Sequence, residues 1–455
     1  MFNFSDYEYA DFGDKRLGKR LTKLLNQLSN DISASIIAAC ICFHQAKAVY
    51  RFTANDNISH DGIINQTHII TVRNICQAKP HVVLLLQDTT DVNYTNLKAT
   101  EGLGYICSHR KTTGLIVHSV IAVGEDDTIY GILAQNVWAR CEENRGKSIR
   151  RDSLPIEDKE SYKWLEGMEN AKAPFPEETM AVHICDREAD IYELFSKAEY
   201  DGEYYICRKR HNRTIQDEGE FNKVDEYLNS CSVAGTISVH VPRDSHTKRK
   251  ERVAELDIRF GKCLIKKPSK VSSQFKTIEV YVISAVEVNV PKGTTAISWQ
   301  LITNVPTNTF EEAERAIKWY TKRWKIETFH RVLKDGCKIE ELQISTAEKL
   351  SKLIAIYSII SMQVMYLGYI ARALPDGSCE LILSEEEWQI LHRVVNKTRE
   401  VPADPPTTRE AVVMIAKLGG FLARNSDGDP GVKVLWRGLS KFQTILEVAP
   451  LLMSL

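Results

Sequence analysis

Met180-Ala-Val-His-Ile-Cys185 is a short apolar run followed at once by Asp186-Arg-Glu-Ala-Asp-Ile-Tyr-Glu193. Such a run reads as a buried strand. This one ends in a carboxylate and leads directly into a helix. A second run of the same kind, His81-Val-Val-Leu-Leu-Leu-Gln87, ends in Asp88-Thr-Thr-Asp91. Leu115 to Val123 and Thr128 to Ala134 read as two further strands joined by the turn Gly124-Glu-Asp-Asp127, and Tyr204 to Arg208 as a fifth that ends in a basic cluster. The polar stretch Cys141 to Leu154 reads as a loop, and Glu157 to Met168, after Pro155, as a helix. Strands and helices mixed in this way predict an α/β core.

Outward from that core the pattern changes. From about 211 to 295, the stretches Thr236 to Val241, Glu255 to Phe260, Cys263 to Lys266 and Thr277 to Ile283 alternate like half-exposed strands, which predicts a β-rich insertion. Trp299 to Asn304 returns to a strand, and Thr309-Phe-Glu-Glu312 has the spacing of a helix-opening capping box. The helix that follows is read through Tyr320-Thr-Lys-Arg-Trp-Lys-Ile-Glu-Thr-Phe-His-Arg-Val-Leu-Lys334. On one continuous helix Tyr320, Arg323, Glu327 and Lys334 fall within roughly a 60° arc, with Trp324 close by. Residues 1 to about 70 read as helical, with a cationic face. Ala347 to Ala373 reads as a long apolar helix, and its most apolar stretch, around Leu353 to Leu367, is broken by Ser and Gln and is short for a membrane span. Helices from Ser384 to Val395 and from Arg409 to Leu418 follow it.

The chain has 455 residues, enough for about three domains. Its 43% hydrophobic and 26% charged content are those of a globular protein. A net charge of −1 argues against a uniformly basic nucleic-acid coat, but local basic clusters are present: Lys15 to Lys23, Arg145 to Arg151, Arg208 to Arg213 and Lys248 to Arg252. The eleven cysteines form no CxxC pair and are expected to be reduced thiols in a cytoplasmic protein.

Two strand-end aspartates and a helical glutamate are hard oxygen donors of the kind a pair of Mg²⁺ ions takes. Two such ions about 4 Å apart serve in-line displacement at a phosphodiester. Asp91, Glu188 and Asp190 are nearby alternatives, Asp190 ranking lower because it is read inside the helix after Asp186.

At this point the motifs carry a resemblance. QDTT around Asp88, CDREAD around Asp186, and the Y-(2)-R-(3)-E-(6)-K spacing from Tyr320 to Lys334 resemble the DDE transposases of bacterial insertion sequences, the IS-four family. GDKR near the start, AVYRF at 48–52, KESYKWL at 159–165 and AKLGGF at 416–421 extend the likeness over nearly the whole chain. It implies an RNase H-like catalytic core with a β-strand insertion, flanked by helical N-terminal and C-terminal domains. The implied limits are 1–70 for a DNA-end-binding domain, 71–372 for the catalytic domain, and 373–455 for a dimerisation domain.

It further implies Asp88, Asp186 and Glu327 as ligands of two Mg²⁺ ions, with Mn²⁺ as a substitute. Tyr320, Arg323 and Lys334 are implied as phosphate contacts, and Trp299, assisted by Trp324, as the stacking partner of a flipped base. Arg208, Arg210, Arg16, Arg20 and Arg51 are implied as further DNA contacts. The expected activity is cut-and-paste transposition through a hairpin intermediate, by a homodimer that pairs two ends of double-stranded DNA in a synaptic complex. No membrane and no small-molecule substrate are expected, and the place is the bacterial cytoplasm, at the nucleoid. A nuclease of the same fold and a non-cutting DNA-binding regulator are the competing expectations.

Overall fold

The structure is a computed structural model that describes residues 4–32, 35–40, 42–107, 111–141, 143, 154–216, 221–241, 251–424 and 427–453. The expected loop at Cys141 to Leu154 and the basic clusters at 145–151 and 248–250 lie largely outside these residues.

In chain order the helices of the first segment are α1 (Lys15–Asn30), α2 (Ile36–Ala39), α3 (Phe43–Thr53) and α4 (His60–Ala78). Then come β1 (Val82–Asn93), β2 (Gly104–Tyr105), β3 (Thr113–Gly124), β4 (Ile129–Trp138), α5 (Tyr162–Asn170), β5 (Met180–Cys185), α6 (Tyr192–Asp201) and β6 (Tyr204–Arg208). The insertion holds β7 (Ile215–Gln216), α7 (Val224–Ser230), β8 (Gly235–Val241), β9 (Arg252–Lys266) and β10 (Thr277–Val288). The last part holds β11 (Ser298–Thr303), α8 (Phe310–Thr321), α9 (Trp324–Arg331), α10 (Ala347–Ala373), α11 (Glu385–Asn396), α12 (Thr408–Leu418) and α13 (Val432–Met453). An RNase H-like α/β core with a β-rich insertion and helical flanks is therefore what the chain builds.

The chain divides into two compact units, one of Pro80–Asp88 and Lys147–Trp324, the other of Met1–Lys79, Thr89–Gly146 and Lys325–Leu455. In the first, β1 and β6 flank β5 in parallel, and β6 pairs antiparallel with β11. The antiparallel order then continues through β10 and β9, and both β7 and β8 pair with β9. The insertion is thus an extension of the same sheet. Two strands expected at Glu255 to Phe260 and Cys263 to Lys266 are one strand, because Gly261 and Lys262 keep the register opposite Val282 and Tyr281. Trp164, Tyr192, Phe195, Tyr205 and Ile302 form the centre of a core beneath the sheet.

In the other unit, β3 and β4 form a hairpin with α4 and α10 packed on β4. The helix α1 starts at Asp14, whose side chain accepts from the Arg16 N–H, and buries Leu21, Leu24, Leu25 and Leu28 as one stripe. The helix α10 has the expected bounds, and at 27 residues it is by length and composition long and apolar enough to cross a membrane, where its apolar stretch was expected to be short for one. It is buried on most sides, 83% of its most apolar window lying inside the fold, as a core helix is. The sequence reading missed α13, whose Leu435, Trp436, Leu439 and Phe442 are buried. The helices α12 and α13 meet at Gly419 and Gly438. A Cβ on Gly438 would lie 1.9 Å from the Ile415 carbonyl oxygen, so the close approach requires glycine.

Candidate active site

The strand β1 is apolar on both faces over Val83, Leu84, Leu85 and Leu86, as expected of a strand covered on both sides. It pairs with β5 in the register Val82↔Met180 through Leu86↔Ile184. Two residues past the last of these pairs come Asp88, still within β1, and Asp186, the first residue after β5. Neighbouring strands lie about 4.8 Å apart, so the parallel pair β1 and β5 carries both aspartates to the same end of the sheet.

Asp88 does not end its strand, as the sequence suggested; β1 runs on to Asn93, carried by the β-branched Thr89, Thr90 and Val92. Asp186 directly follows β5 with an extended backbone, φ −86° and ψ −177°. Its Oδ1 is buried with no hydrogen-bond partner in the protein, and its carbonyl accepts from the Cys207 thiol at 3.5 Å. The turn after it is a short 3-10 helix, Arg187–Ala189. Asp190, expected inside a continuing helix, caps that turn and is fully buried against Arg213.

Arg323 is 7% exposed and brings Nη1 to 3.4 Å from Asp88 Oδ2. Its guanidinium also lies 5.9 Å from the ring centre of Trp324, which is 59% exposed. Tyr320 is buried, with its ring 6.1 Å from that of the half-buried Trp299 at 64°. Burial pushes the Tyr320 hydroxyl up to about 12, against the pull of Arg323; Asp186 raises it and Arg208 lowers it. Burial also raises the Cys185 thiol, and Asp186 adds to the effect. One unit therefore gathers Asp88, Asp186, Arg323, Tyr320, Trp299 and Trp324. Arg208, at the end of β6, donates to the Ser298 carbonyl at 3.4 Å, and the side chain of Arg210 is exposed.

The stretch 320–334 is not one α-helix. It breaks at Lys322–Arg323, restarts as α9, and becomes a π-helical turn over Val332–Gly336. Tyr320 and Arg323 are buried and Trp324 is exposed, and because of the break a single face at 100° per residue does not run through the whole stretch. Glu327 and Lys334 belong to the other unit. Glu327 lies half-buried on α9, two residues after Lys325, which pairs with Asp127 at 3.3 Å. Lys334 Nζ donates to the Asp91 carbonyl at 2.8 Å and lies 3.4 Å from Glu340, whose carboxylate also accepts from the Asn93 N–H. Glu340 and Asp127 escaped the sequence reading. Only their sequence distance from their partners could have pointed to them, and no spacing rule spans it.

Arg16, Arg20 and Arg51 line one surface groove with Asp14, His44 and Gln45, between α1 and α3. Arg16 is engaged by Asp14 in a bidentate pair.

Among the described residues no group of three His, Cys, Asp or Glu side chains is gathered to hold a metal ion. The two aspartates nonetheless fit a hard cation in kind. Both are oxygen donors, they follow neighbouring parallel runs of β1 and β5, and Asp186 offers a buried oxygen that nothing in the protein satisfies. All eleven cysteines are free thiols.

Three family models match the chain in order. Residues 4–58 match a transposase DNA-binding model, 178–362 a transposase DDE domain, and 359–454 the dimerisation domain of the Tn5 transposase. The DDE match contains Asp186 and Glu327 and begins after Asp88. Among solved structures, a cryo-EM structure of the piggyBac transposase synaptic complex with hairpin DNA is similar at 10% identity and a TM-score of 0.35, over 96% of this chain and 73% of that one. That likeness is too distant to carry an argument. The three successive models and the intact motifs together make this chain a member of the DDE transposases, of the Tn5-like kind and consistent with the IS-four family.

Proposed function

We propose that the chain is a cut-and-paste transposase that cleaves the ends of an insertion sequence through a hairpin intermediate and joins the freed 3′ ends to target DNA. The observation that carries this reading is that the parallel strands β1 and β5 bring Asp88 and Asp186 to one end of the sheet, with Arg323 at Asp88. Asp88, Asp186 and Glu327 would hold two Mg²⁺ ions. Bound there, the metal would activate an attacking oxygen and stabilise the leaving oxygen at the phosphodiester.

The remaining roles belong to the protein. Arg323, Tyr320 and Lys334 grip phosphate oxygens near the cut. Trp299 stacks on a base turned out of the helix, with Trp324 beside it, which relieves the tight bend of the hairpin at a cost of a few kcal/mol in lost stacking. Arg16, Arg20 and Arg51 lie along the phosphates of the terminal repeat. Residues 1–70 bind the end, 71–372 carry the chemistry, and 373–455 pair two copies so that two ends are held in one synaptic complex. The work is done at the nucleoid, in the cytoplasm.

The test is incubation of labelled end duplex with Mg²⁺. A hairpin product that disappears in Asp88→Ala supports the proposal. Nicking without hairpins would point to a nuclease, and binding without cleavage to a regulator.

A further inference from the structure

We infer that Asp190 is a positioning residue that fixes the DNA-contacting segment Arg208–Arg210 relative to Asp186. The inference rests on the DNA reading above for the role of Arg210, and on geometry for the rest.

Asp190 is 1% exposed, and its carboxylate is saturated. Oδ2 accepts from the backbone N–H of Arg210 at 2.6 Å and of His211 at 2.7 Å. Oδ1 accepts from Arg213 Nε at 2.7 Å and from its Nη2, and the Asp190 carbonyl accepts from Nη2 at 2.7 Å. Arg213 is 8% exposed and lies over the Phe195 ring at 5.0 Å, so the pair is sealed on the side of α6.

Five donated hydrogen bonds thus converge on a residue four positions after Asp186. They come from three residues, Arg210, His211 and Arg213, of the four-residue stretch 210–213 just past the basic end of β6. Two of the five come from the backbone of the segment that displays the exposed Arg210 side chain. A buried carboxylate held by a buried guanidinium is a costly way to stabilise a fold, since well-packed apolar residues do as well or better. What the pair does provide is orientation. It locks the backbone of residues 210–211 to the turn that carries Asp186, so a phosphate held by Arg210 sits at a fixed offset from the acid. Neither half of the chemistry needs Asp190 to touch DNA.

The test is the salt dependence of binding to a fluorescein-labelled duplex of mixed sequence, without divalent metal. A lost phosphate contact lowers the slope of log Kd against log salt by about one. Arg210→Ala is expected to lower it by that amount. Asp190→Asn is expected to do the same by misplacing Arg210, and the double variant is expected to lose no more than either alone. Asp190→Asn leaves a buried charge on Arg213 and can unfold the chain, so the same cycle is run with Asp190→Asn combined with Arg213→Met, which removes that charge.

A wild-type slope in either folded variant overturns the inference, as does a double variant that loses two contacts. A purely structural role lowers the melting point and leaves the slope unchanged. If the unaltered chain fails to bind duplex at all, the DNA reading itself falls, and this role falls with it.

Discussion

Arg323 sets its guanidinium 3.4 Å from the carboxylate of Asp88, with both residues mostly buried and the ring centre of Trp324 5.9 Å from the cation. A planar fork in reach of both a carboxylate and an indole is poorly replaced by an ammonium. Arg323→Lys should therefore lower end cleavage at least tenfold. The thermal midpoint should stay within a few degrees of the parent, because charge is kept. Single-turnover cleavage and a melting curve on the same preparation check this. Unchanged cleavage would remove Arg323 from the site.

Glu327→Gln should keep end-DNA binding and abolish nicking, hairpin formation and joining together, since one set of acids is proposed to serve every step. Gel analysis of each intermediate is the measurement. Loss of a single step would mean that Glu327 has a different part.

The orphaned oxygen of Asp186 predicts a metal effect that needs no DNA. Millimolar Mg²⁺ should raise the melting temperature of the protein by linkage, and chelation should reverse it. Asp186→Asn should abolish the shift. A shift that survives the substitution would place the metal elsewhere.

His330, in α9, is buried and holds its proton poorly: burial depresses its pKa to about 3, and Lys334 adds to the effect. Unfolded, a histidine titrates near 6.5. Between these values the unfolded chain binds the extra proton and the folded one does not, so stability falls as pH drops from about 6.5 towards 3. Above that window His330 contributes no pH dependence. His330→Phe should flatten this part of the profile, read as melting temperature against pH.

Thr309 and Glu312 close a reciprocal cap at the start of α8, with Glu312 N–H donating to Thr309 Oγ1 and the Thr309 N–H to Glu312 Oε2. Thr309→Ala should cost about 1 kcal/mol of stability. Because α8 delivers Tyr320, the cost should appear as a lower denaturation midpoint, with cleavage at low temperature unchanged.

The parts of the fold that were legible in the sequence are those governed by local rules. The apolar runs before Asp88 and Asp186 could only be buried strands, and the Thr309–Glu312 spacing announced its helix. What local rules could not supply came from tertiary contact. The turn at Lys322–Arg323 interrupts a helix that periodicity alone would have kept whole. Thr89 to Asn93 extended a strand past its expected end. Asp190 looked like a helix residue because its partners, at 210, 211 and 213, lie about twenty residues away. Of the site, motif spacing pointed out Asp88, Asp186 and Arg323, and the structure adds the parallel strand pair that brings the first two to one end of the sheet.

The antiparallel run β6–β11–β10–β9 has a consequence for any attempt to trim the protein. Residues 211–295 read as an insertion in sequence, yet β10 covers one whole side of β11, the strand that holds Trp299. Excising the insertion would strip β11 of six residues' worth of partners and leave raw N–H and C=O groups facing water. An open edge of that kind recruits other chains. A shortened enzyme is therefore expected to precipitate before its chemistry can be measured, and smaller transposases of this design would need to cap β11 by another route.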